Sequence, residues 1–558
     1  MIDRKNHQSV TLRSFVKDQA TTGAGIIAAM VALAGSASAV PPGVGIPPVL
    51  SAEFTATDVS FRWLGRGGAS YALDQCPDLD FANQVASRYF LGHGGFLSDV
   101  SPLPDQDAGF WLVRSLGASN GVCVAPSGEH AGKLVRYDDA GNPVLLQAFG
   151  VNYSTAFTRY IDDVNNTSFI AGFEYLRDHH IPVARVQGAG FWPKNWNLYF
   201  TDKTEYFRRL DYFIAQAEQY GVGLILDCFW ANYTLGELVD DAVVAGYLVP
   251  GVDFVPPTPL NLDEFGNPTY DEYKRAMGRP DSGSNAFIAL YTRELVERYS
   301  RLPAIWGWEF GNEYNLSVDH PNVPLNRIRK GAAATQGMTL ADTSTNLVVL
   351  PAWTGPDDLV RADVLVAKEN FARTVRSIDT WRLIMGGDAI PRATAYHNWT
   401  EHTWGKDSRA ELAQVLPVDN PAPMDTVTVH IYPGKPGVDP DVYFTDDPVT
   451  IQWETGEYKE LLDYFMAESA ALGRPLIVGE WGSIGTGTTA DEKTTFHRYM
   501  QALIDSGVQL SLLWNYDGTN PGQVEEWYVN PGTPKEYQLT NEDPDLWDLE
   551  QANLFFQD

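Results

Sequence analysis

From about residue 140 onwards, short apolar runs alternate with longer segments whose apolar residues recur at helical spacing. The runs are rich in β-branched residues, as is typical of buried strands. Eight such runs are present: Leu145–Asn152, Ile181–Gly188, Val222–Phe229, Ile305–Glu313, Arg382–Asp388, Thr426–Tyr432, Leu476–Trp481 and Gln509–Trp514. Between the second and third runs, Phe207, Leu210 and Phe213 repeat on one helix face, and Gly221 is placed to end that helix.

This alternation predicts the fold class. Alternating strand and helix patterns indicate parallel βαβ units. Eight such units predict an α/β fold, a closed (β/α)8 TIM barrel with long βα-loop insertions. An open doubly wound sheet would carry a glycine-rich turn after its first strand, and none follows Gly150. Two long connections, from Phe229 to Asn285 and from Glu313 to Ala367, follow the C-terminal ends of strands, where barrel enzymes place their active sites.

The N-terminal part of the chain lacks the alternation. Basic residues precede the apolar run Ala24–Ala34, and Ala37–Ala39 has the small-x-small pattern of a signal-peptidase site. We expect a signal peptide over residues 1–39, an irregular extension or small accessory region over 40–135, and the barrel over 136–558. The apolar run is too short to cross about 30 Å of hydrocarbon, and no later window is long enough. The mature chain is therefore expected to have no integral membrane segment and to be secreted or periplasmic.

Composition narrows the partners. The 558 residues include 71 acidic and 40 basic side chains, giving a formal net charge of −31. Such a field repels a polyanion, so no nucleic-acid partner is expected. The chain also carries 16 Trp, 26 Tyr and 26 Phe, a large aromatic content for so polar a sequence. That content is compatible with a neutral ligand that presents flat apolar faces.

Cysteine and histidine spacing gives no sign of a metal or cofactor. Cys76, Cys123 and Cys228 form no Cys-x-x-Cys pattern, and either one disulfide between Cys76 and Cys123 or three separate thiols fits the sequence. His397 and His402 do not have the helical spacing of a zinc protease, and the segment is expected to be a loop. We therefore predict no metal and no cofactor.

Two carboxylates stand at the ends of predicted strands. The fourth strand ends in Glu309-Phe-Gly-Asn312-Glu313, in which alternate residues share one face, and the seventh carries Glu480 near its end. Strands four and seven lie on opposite sides of a barrel, so Glu313 and Glu480 should face each other across its mouth. Glycosidic bond cleavage needs one protonated and one ionised carboxyl in that arrangement. Glu309 is expected to be a buried, hydrogen-bonded carboxylate within the barrel.

These residues resemble the catalytic signatures of clan A glycoside hydrolases, most closely family 5, the cellulase and mannanase family. The resemblance extends over residues 136–518. It rests on Asn312-Glu313 and Glu480 together with further strand-end residues, namely Asn152, Arg185, His430, Tyr432 and Trp514.

The resemblance implies a role for each position. Glu313 would be the acid/base and Glu480 the nucleophile of a retaining β-glycoside hydrolase. Asn312 would hold the substrate 2-hydroxyl, while Arg185 and Tyr432 would keep Glu480 ionised and oriented. His430 and Tyr432 match the sixth-strand pair of the family. Trp514 would form the floor of the subsite for the reacting sugar.

One departure bears on the substrate. The family commonly carries a histidine near the end of the third strand, where this chain has Leu226-Asp-Cys-Phe-Trp230. The change weakens a plain cellulase interpretation and leaves a neutral β-linked polysaccharide or oligosaccharide, with mannan or β-1,4-glucan favoured. Indole rings in expected loops could stack on the sugar; they belong to Trp192, Trp196, Trp230, Trp353, Trp399, Trp404 and Trp481.

Three alternatives remain at this point. A transglycosidase would use the same residues, and a non-catalytic glycan-binding barrel would usually lack one of the two carboxylates. A serine esterase is suggested by Gly117-Ala-Ser119-Asn-Gly121, which matches G-x-S-x-G. A nucleophile elbow must open a helix, however, and the residues after Val122 include Pro126 and Gly128. The esterase prediction is therefore remote.

Overall fold

The computed structural model describes residues 122–320, 359–432, 443–446, 455–482, 490–517 and 546–556 apart from short internal gaps, and elsewhere only the backbone of individual strands. The chain divides into two compact units. The smaller comprises residues 1–121, 135–145 and 301–303, and the larger comprises the rest. Within the described residues, no helix has both the length and the apolar character needed to cross a membrane.

The larger unit is built on eight parallel strands. Their bounds are β1 Ala148–Asn152, β2 Val183–Gln187, β3 Gly223–Phe229, β4 Ile305–Gly311, β5 Leu383–Met385, β6 Val427–His430, β7 Leu476–Trp481 and β8 Leu510–Leu513. They form one sheet in the order β5-β4-β3-β2-β1-β8-β7-β6. Between β5 and β6, the Asp425 N–H and the Thr426 hydroxyl both donate to the Ile384 carbonyl at 3.3 Å, which brings the two outer strands together. The sheet is a nearly closed barrel, and the predicted (β/α)8 fold is confirmed.

Helices surround this sheet. They are α1 Ala156–Asp162, α2 Ser168–Asp178, α3 Trp196–Thr201, α4 Lys203–Tyr220, α5 Leu235–Val244, α6 Gly283–Tyr299, α7 Arg361–Ile378, α8 Ala395–Glu401, α9 Arg409–Asp419, α10 Thr455–Ala471, α11 Ala490–Asp505 and α12 Leu546–Phe555. Helix α4 shows how local sequence sets such bounds. Asp202 accepts the Glu205 N–H at 3.0 Å at its start, and Gly221 ends it with a φ of 71°, as the sequence predicts.

Apolar side chains fill the interior of the barrel. Val183, Ile225, Leu383, Ile477 and Leu512 are among the residues of one buried cluster drawn from strands around the sheet. A second layer lies among the helices, where Trp196 packs against Phe229 and Tyr291. These packed layers hold the strand ends in fixed positions, and the polar residues that follow them therefore have defined geometry.

Two sequence predictions about local structure are wrong. The fourth strand ends at Gly311 and does not reach Glu313, which adopts a left-handed conformation with φ 53° that a strand cannot contain. Glu313 therefore does not share a strand face with Glu309. The segment of His397 is helix α8 and not a loop, with His402 in a left-handed conformation at its end.

The smaller unit is also more regular than expected. Seven strands form a four-stranded sheet, in the order 28–35, 108–118, 69–76 and 86–91, and a three-stranded sheet, in the order 50–54, 58–64 and 96–102. The sequence leaves open an irregular extension or a small accessory region here, because strands without intervening helices do not produce the alternation used to recognise the barrel. Strand 28–35 is an edge strand that lies within the expected signal peptide.

Two further sequence predictions concern residues outside the part of the chain that the structure describes. Ser119 lies outside the described residues, and the next described element is the short strand Cys123–Val124 and not the helix that a nucleophile elbow requires. The Cys76 side chain also lies outside the described residues, so its pairing stays a prediction. Cys228 is buried in β3.

Candidate active site

The C-terminal ends of the barrel strands bring the predicted site residues together. Arg185 lies on β2 and Glu480 on β7, and His430 is the last residue of β6. The remaining members follow strands directly: Trp230 after β3, Asn312 and Glu313 after β4, Tyr432 after β6, and Trp514 after β8. Parallel strands end at one face of the barrel, which is why positions so distant in sequence meet there.

A tight backbone turn directs Glu313 into the site. Its N–H donates to the Gly387 carbonyl at 2.7 Å, so the chain after β4 is tied to the chain after β5. Gly387 has a φ of 70°, and a Cβ there would lie 1.9 Å from the Gly311 carbonyl oxygen. Only glycine permits this approach, and the approach fixes the left-handed conformation of Glu313.

Glu480 is buried and receives two strong donors. The Arg185 Nη1 donates to its Oε1 at 2.7 Å, and the Tyr432 hydroxyl donates to its Oε2 at 2.8 Å. Burial raises the pKa of Glu480, while His430, Arg185 and the Tyr432 hydrogen bond act in the opposite direction. Donors to both oxygens favour the carboxylate form and hold its orientation.

His430 links the two glutamates. Its Nδ1 lies 3.1 Å from Glu313 Oε1 and 3.4 Å from Glu480 Oε1. Burial lowers the pKa of His430 to about 4, so the imidazole is neutral at neutral pH. The tautomer with its proton on Nδ1 donates to a carboxylate at this position. Gly479 leaves room for this ring, because a Cβ there would lie 2.8 Å from His430 Nε2.

Glu313 has a different environment from Glu480. Its side chain keeps 29% of its surface exposed, against 6% for Glu480, and the withdrawal of the carboxyl from water raises its pKa. One carboxylate oxygen of Glu313, one of Glu480 and a ring nitrogen of His430 all lie within 4.8 Å of one another. The two carboxyls therefore face each other directly.

Arg185 is the centre of the buried polar network. Its five N–H groups make five bonds: Nε to Glu309, Nη1 to Asn152 at 3.1 Å and to Glu480, and Nη2 to Asp227 at 3.2 Å and to Asn312 at 3.0 Å. Every donor of the guanidinium is used, so its position is fixed from five sides. The sequence indicates that Glu309 is buried but does not single out Asp227. The position of Asp227, two residues before the end of β3, is the sequence feature that could have indicated a place in this network.

An aromatic wall completes the site. The rings of Trp230 and Trp514 stack at 6.1 Å with an interplanar angle of 17°, Tyr432 packs against them, and the Arg185 guanidinium lies 5.0 Å from the Trp230 ring. The pair is largely buried, with one indole supporting the other. This is the construction expected of a sugar-stacking surface beside a carboxylate.

Comparison with known proteins identifies the family. Residues 137–520 match the model of the family described as Cellulase (glycosyl hydrolase family 5). The chain belongs to glycosyl hydrolase family 5. A mannan endo-1,4-beta-mannosidase A of Emericella nidulans is 22% identical over 376 residues, covering 64% of this chain and 71% of that protein. This chain is thus a glycoside hydrolase, as the sequence predicts.

Solved structures of the family are similar at low identity. A family 5 mannosidase of Rhizomucor miehei is 14% identical with a TM-score of 0.46, and 78% of this chain and 98% of that chain are covered. An endo-beta-1,4-mannanase of Thermotoga petrophila is 17% identical with a TM-score of 0.43, and the covered shares are 74% and 77%.

The structure corrects one predicted substrate contact of this family 5 hydrolase. Trp481 is fully buried, and its ring packs 5.7 Å from Phe149 and 5.3 Å from Phe496, in the layer between strand and helix. The Trp481 ring therefore lies outside the cleft that Glu480 faces. The prediction that Trp481 binds substrate is wrong.

The other loop tryptophans divide into three groups. Trp196 is buried in the helical layer, Trp404 is 51% exposed in the connection after β5, and Trp399 is partly exposed. Trp192 and Trp353 lie outside the described residues. Only part of the indole content is therefore available to a ligand.

Two groups of side chains among the described residues have donors close enough for a metal ion. One is Glu313, His430 and Glu480, and the other is His397, Asp407 and Glu411. In the second group the His397 Nδ1 already contacts Asp407 at 2.8 Å, and the Ser408 N–H donates to Glu411 at 2.7 Å in a helix cap. Both donor sets are thus engaged in hydrogen bonds within the protein.

Proposed function

We propose that this family 5 hydrolase is a retaining β-mannanase in which Glu480 is the nucleophile and Glu313 the acid/base. The observation that carries the proposal is the approach of the two carboxyls to within 4.8 Å. Retaining glycosidases place their carboxyls about 5 to 5.5 Å apart, and inverting ones leave about 6.5 to 9.5 Å for a water molecule. The short separation supports direct attack by a carboxylate.

The environments of the two glutamates support the division of roles. Glu480 accepts bonds from Arg185 and Tyr432, which favours the anion that must attack. Glu313 accepts no arginine bond among the described contacts. Desolvation of its carboxyl raises its pKa, and Arg185 alone acts in the opposite direction, whereas His430, Arg185 and the Tyr432 hydrogen bond all act to lower the pKa of Glu480. This difference favours the protonated form of Glu313 that must donate. Pairs of carboxyls whose environments differ in this way commonly divide acid and nucleophile roles.

The reaction then proceeds in two displacements. In the first, Glu313 gives its proton to the glycosidic oxygen while a Glu480 oxygen bonds to the anomeric carbon, and the bond from that carbon to the leaving oxygen breaks. In the second, the Glu313 carboxylate takes a proton from water, the water oxygen bonds to the anomeric carbon, and the ester to Glu480 breaks. Two inversions give net retention.

Asn312, Trp514 and Trp230 are proposed to bind the sugar. The Asn312 Oδ1 accepts from Arg185, which leaves the amide N–H groups to donate to a substrate hydroxyl such as the 2-hydroxyl. Trp514, supported by Trp230, offers its indole face to the ring of the reacting sugar. His430 and Tyr432 are proposed to act on the glutamates and to border the same subsite.

Mannan is the favoured substrate, and β-1,4-glucan is the second candidate. The relative from Emericella nidulans is a mannan endo-1,4-beta-mannosidase. The segment Leu226–Trp230 also lacks the histidine that the family commonly carries near the end of its third strand, which weakens a plain cellulase interpretation. Release of reducing ends from mannan, glucan, xylan and galactan would test this. We expect the highest kcat/KM on mannan, and preference for xylan or galactan would contradict the proposal. An accumulation of longer glycosides at high acceptor concentration would favour a transglycosidase.

Export also remains a proposal. Its support is the basic N-terminal segment, the apolar run and the Ala37–Ala39 pattern. Cleavage after Ala39 would remove the edge strand 28–35 and leave a three-stranded sheet with 108–118 at its edge. N-terminal sequencing of protein from the culture medium or periplasm should begin at Val40, and recovery of Met1 there would contradict cleavage.

A further inference from the structure

Three carboxylates surround one guanidinium at the bottom of the site. Arg185 contacts Glu309 through Nε, Glu480 through Nη1 and Asp227 through Nη2. All four side chains are buried, with exposed fractions between 0% and 6%. With every carboxyl ionised, the cluster would hold three negative charges against one positive charge, out of contact with bulk water. Unbalanced buried charge is strongly disfavoured, and such groups take up a proton instead.

The geometry indicates where that proton lies. Asp227 and Glu309 are register partners on the adjacent strands β3 and β4, and both contact Arg185. Asp227 Oδ1 and Glu309 Oε2 are each buried without a hydrogen-bond partner. Two ionised carboxylates cannot bond to each other because neither has a donor. A single proton between them makes one carboxyl a donor and the other an acceptor, and it removes both deficits at once.

We infer that Asp227 and Glu309 share one proton and together act as a monoanionic positioning pair that holds Arg185 against Glu480. The pair then carries one negative charge, and Glu480 carries the second. Arg185 remains hydrogen-bonded to the pair and to Glu480. The pair therefore fixes the position of the guanidinium that orients the proposed nucleophile. Asp227 and Glu309 touch no substrate in this arrangement and act only through Arg185.

The groups that face the pair support this charge state. Arg185 approaches from β2, Glu480 from β7 and neutral His430 from β6, and Cys228 is the neighbour on β3. Arg185 is thus the only cation among these described groups. Burial raises the pKa of Asp227, and Glu309 raises it further, while Arg185 acts in the opposite direction. The direction agrees with retention of a proton at neutral pH.

Two measurements test the inference, on Asp227→Asn, Glu309→Gln and the double variant. The first is the acid limb of kcat/KM, which rests on the proposed role of Glu480. Either single substitution replaces one carboxyl of the pair by an amide, and the remaining carboxylate keeps the one negative charge. The pH of the acid limb of kcat/KM should therefore not change. The double variant removes that charge and should shift the limb to lower pH, because a negative neighbour of Glu480 is lost. Shifts of similar size in both single variants would overturn the inference.

The second measurement is independent of activity. In a Glu313→Gln background, the infrared spectrum at neutral pH should contain the band of a buried protonated carboxyl, and the band should disappear on adding either Asp227→Asn or Glu309→Gln. If the Glu313→Gln protein lacks this band, the inference of a shared proton is contradicted, whether or not the protein hydrolyses a glycan. Asp211→Asn, an exposed carboxylate bonded to Arg298 at 2.6 Å, is the matched control and should alter neither readout. Near-ultraviolet circular dichroism identifies any variant that fails to fold. If one single variant does not fold, the infrared band and the acid limb are read from the other single variant.

Discussion

The Tyr432 hydroxyl donates to Glu480 Oε2 at 2.8 Å, on the oxygen opposite the one that Arg185 holds. The two bonds restrain the carboxylate as a unit, and each favours its ionised form. Glu480 is thus oriented by residues from two separate parts of the barrel, strand β2 and the segment after β6. A nucleophile held in this way requires little reorganisation before attack.

Tyr432→Phe removes one of these bonds and leaves the ring. Hydrogen bonds to charged groups contribute about 1.5 to 3 kcal/mol, so kcat/KM should fall roughly 10- to 100-fold. The pKa of Glu480 should rise, since the lost bond favoured the anion. Initial rates against pH would show the acid limb at higher pH in the variant. An unmoved limb with a reduced rate would mean that the hydroxyl acts on the substrate and not on Glu480.

The pH dependence of the unmodified enzyme follows from the two glutamates. Burial raises the pKa of both Glu480 and Glu313 from the ordinary 4.5. Activity requires Glu480 ionised and Glu313 protonated, so kcat/KM should fall on the acid side as Glu480 gains a proton and on the alkaline side as Glu313 loses one. Both limbs should lie above pH 4.5 and belong to the interacting pair. A profile that is flat on its alkaline side would contradict the role of Glu313.

Glu313→Gln separates proton donation from attack. General acid catalysis contributes about 10² to 10⁴-fold, so hydrolysis of mannan should fall by that order. An aryl mannoside with a good leaving group needs no proton in the first step, so its initial burst should remain while later turnover is slow. Stopped-flow absorbance of the released phenol would record both phases. Equal losses on the two substrates would show that Glu313 is not the acid.

A buried ion pair beside β5 should matter for stability. The Lys368 ammonium donates to Asp388 and to the Asp419 carbonyl at 2.7 Å, and both charged side chains are 1% exposed. Lys368→Met leaves the Asp388 carboxylate unpaired, and breaking such a pair costs about 3 to 5 kcal/mol. Denaturant unfolding at neutral pH would measure this loss. Lys459→Met, which removes an exposed pair with Asp463, should cost under about 1 kcal/mol.

The same variant has a pH signature. Burial raises the pKa of Asp388 to about 6 in the native protein, while Lys368 acts in the opposite direction. Without Lys368 the carboxyl should protonate at still higher pH. In Lys368→Met, the loss of unfolding free energy caused by the unpaired Asp388 carboxylate is therefore fully present above the pKa of Asp388 in the variant. This loss disappears as the pH falls through that pKa. Unfolding free energies that differ from the native protein equally at pH 5 and pH 8 would contradict this account.

The sequence predicted the parts of the structure that local patterns determine. Buried parallel strands appear as continuous apolar runs, so all eight were located, and Glu480 was placed correctly at the end of β7. Glu313 was recognised by resemblance, but the left-handed turn that aims it depends on Gly387, which comes from another strand.

Long-range pairing explains most of what the sequence did not show. Arg185 meets Asp227 and Glu309 only because β2, β3 and β4 are neighbours with a particular register. The sequence separations of Asp227, Glu309 and Glu480 do not predict that their carboxylates surround one guanidinium. Glu309 was expected to be buried and hydrogen-bonded, which agrees with the structure, but the identity of its partners required the barrel.

Glu480 is proposed to form a covalent bond to the sugar, and trapping that bond is the most direct test of its role. A 2-deoxy-2-fluoro mannoside with a good leaving group should form an ester that water removes slowly, because fluorine destabilises the second transition state. Peptide mass spectrometry should then find one added fluoromannosyl group on the peptide that contains Glu480, and none in Glu480→Ala. Labelling of Glu313 or of another residue, or full turnover by Glu480→Ala, would contradict the account.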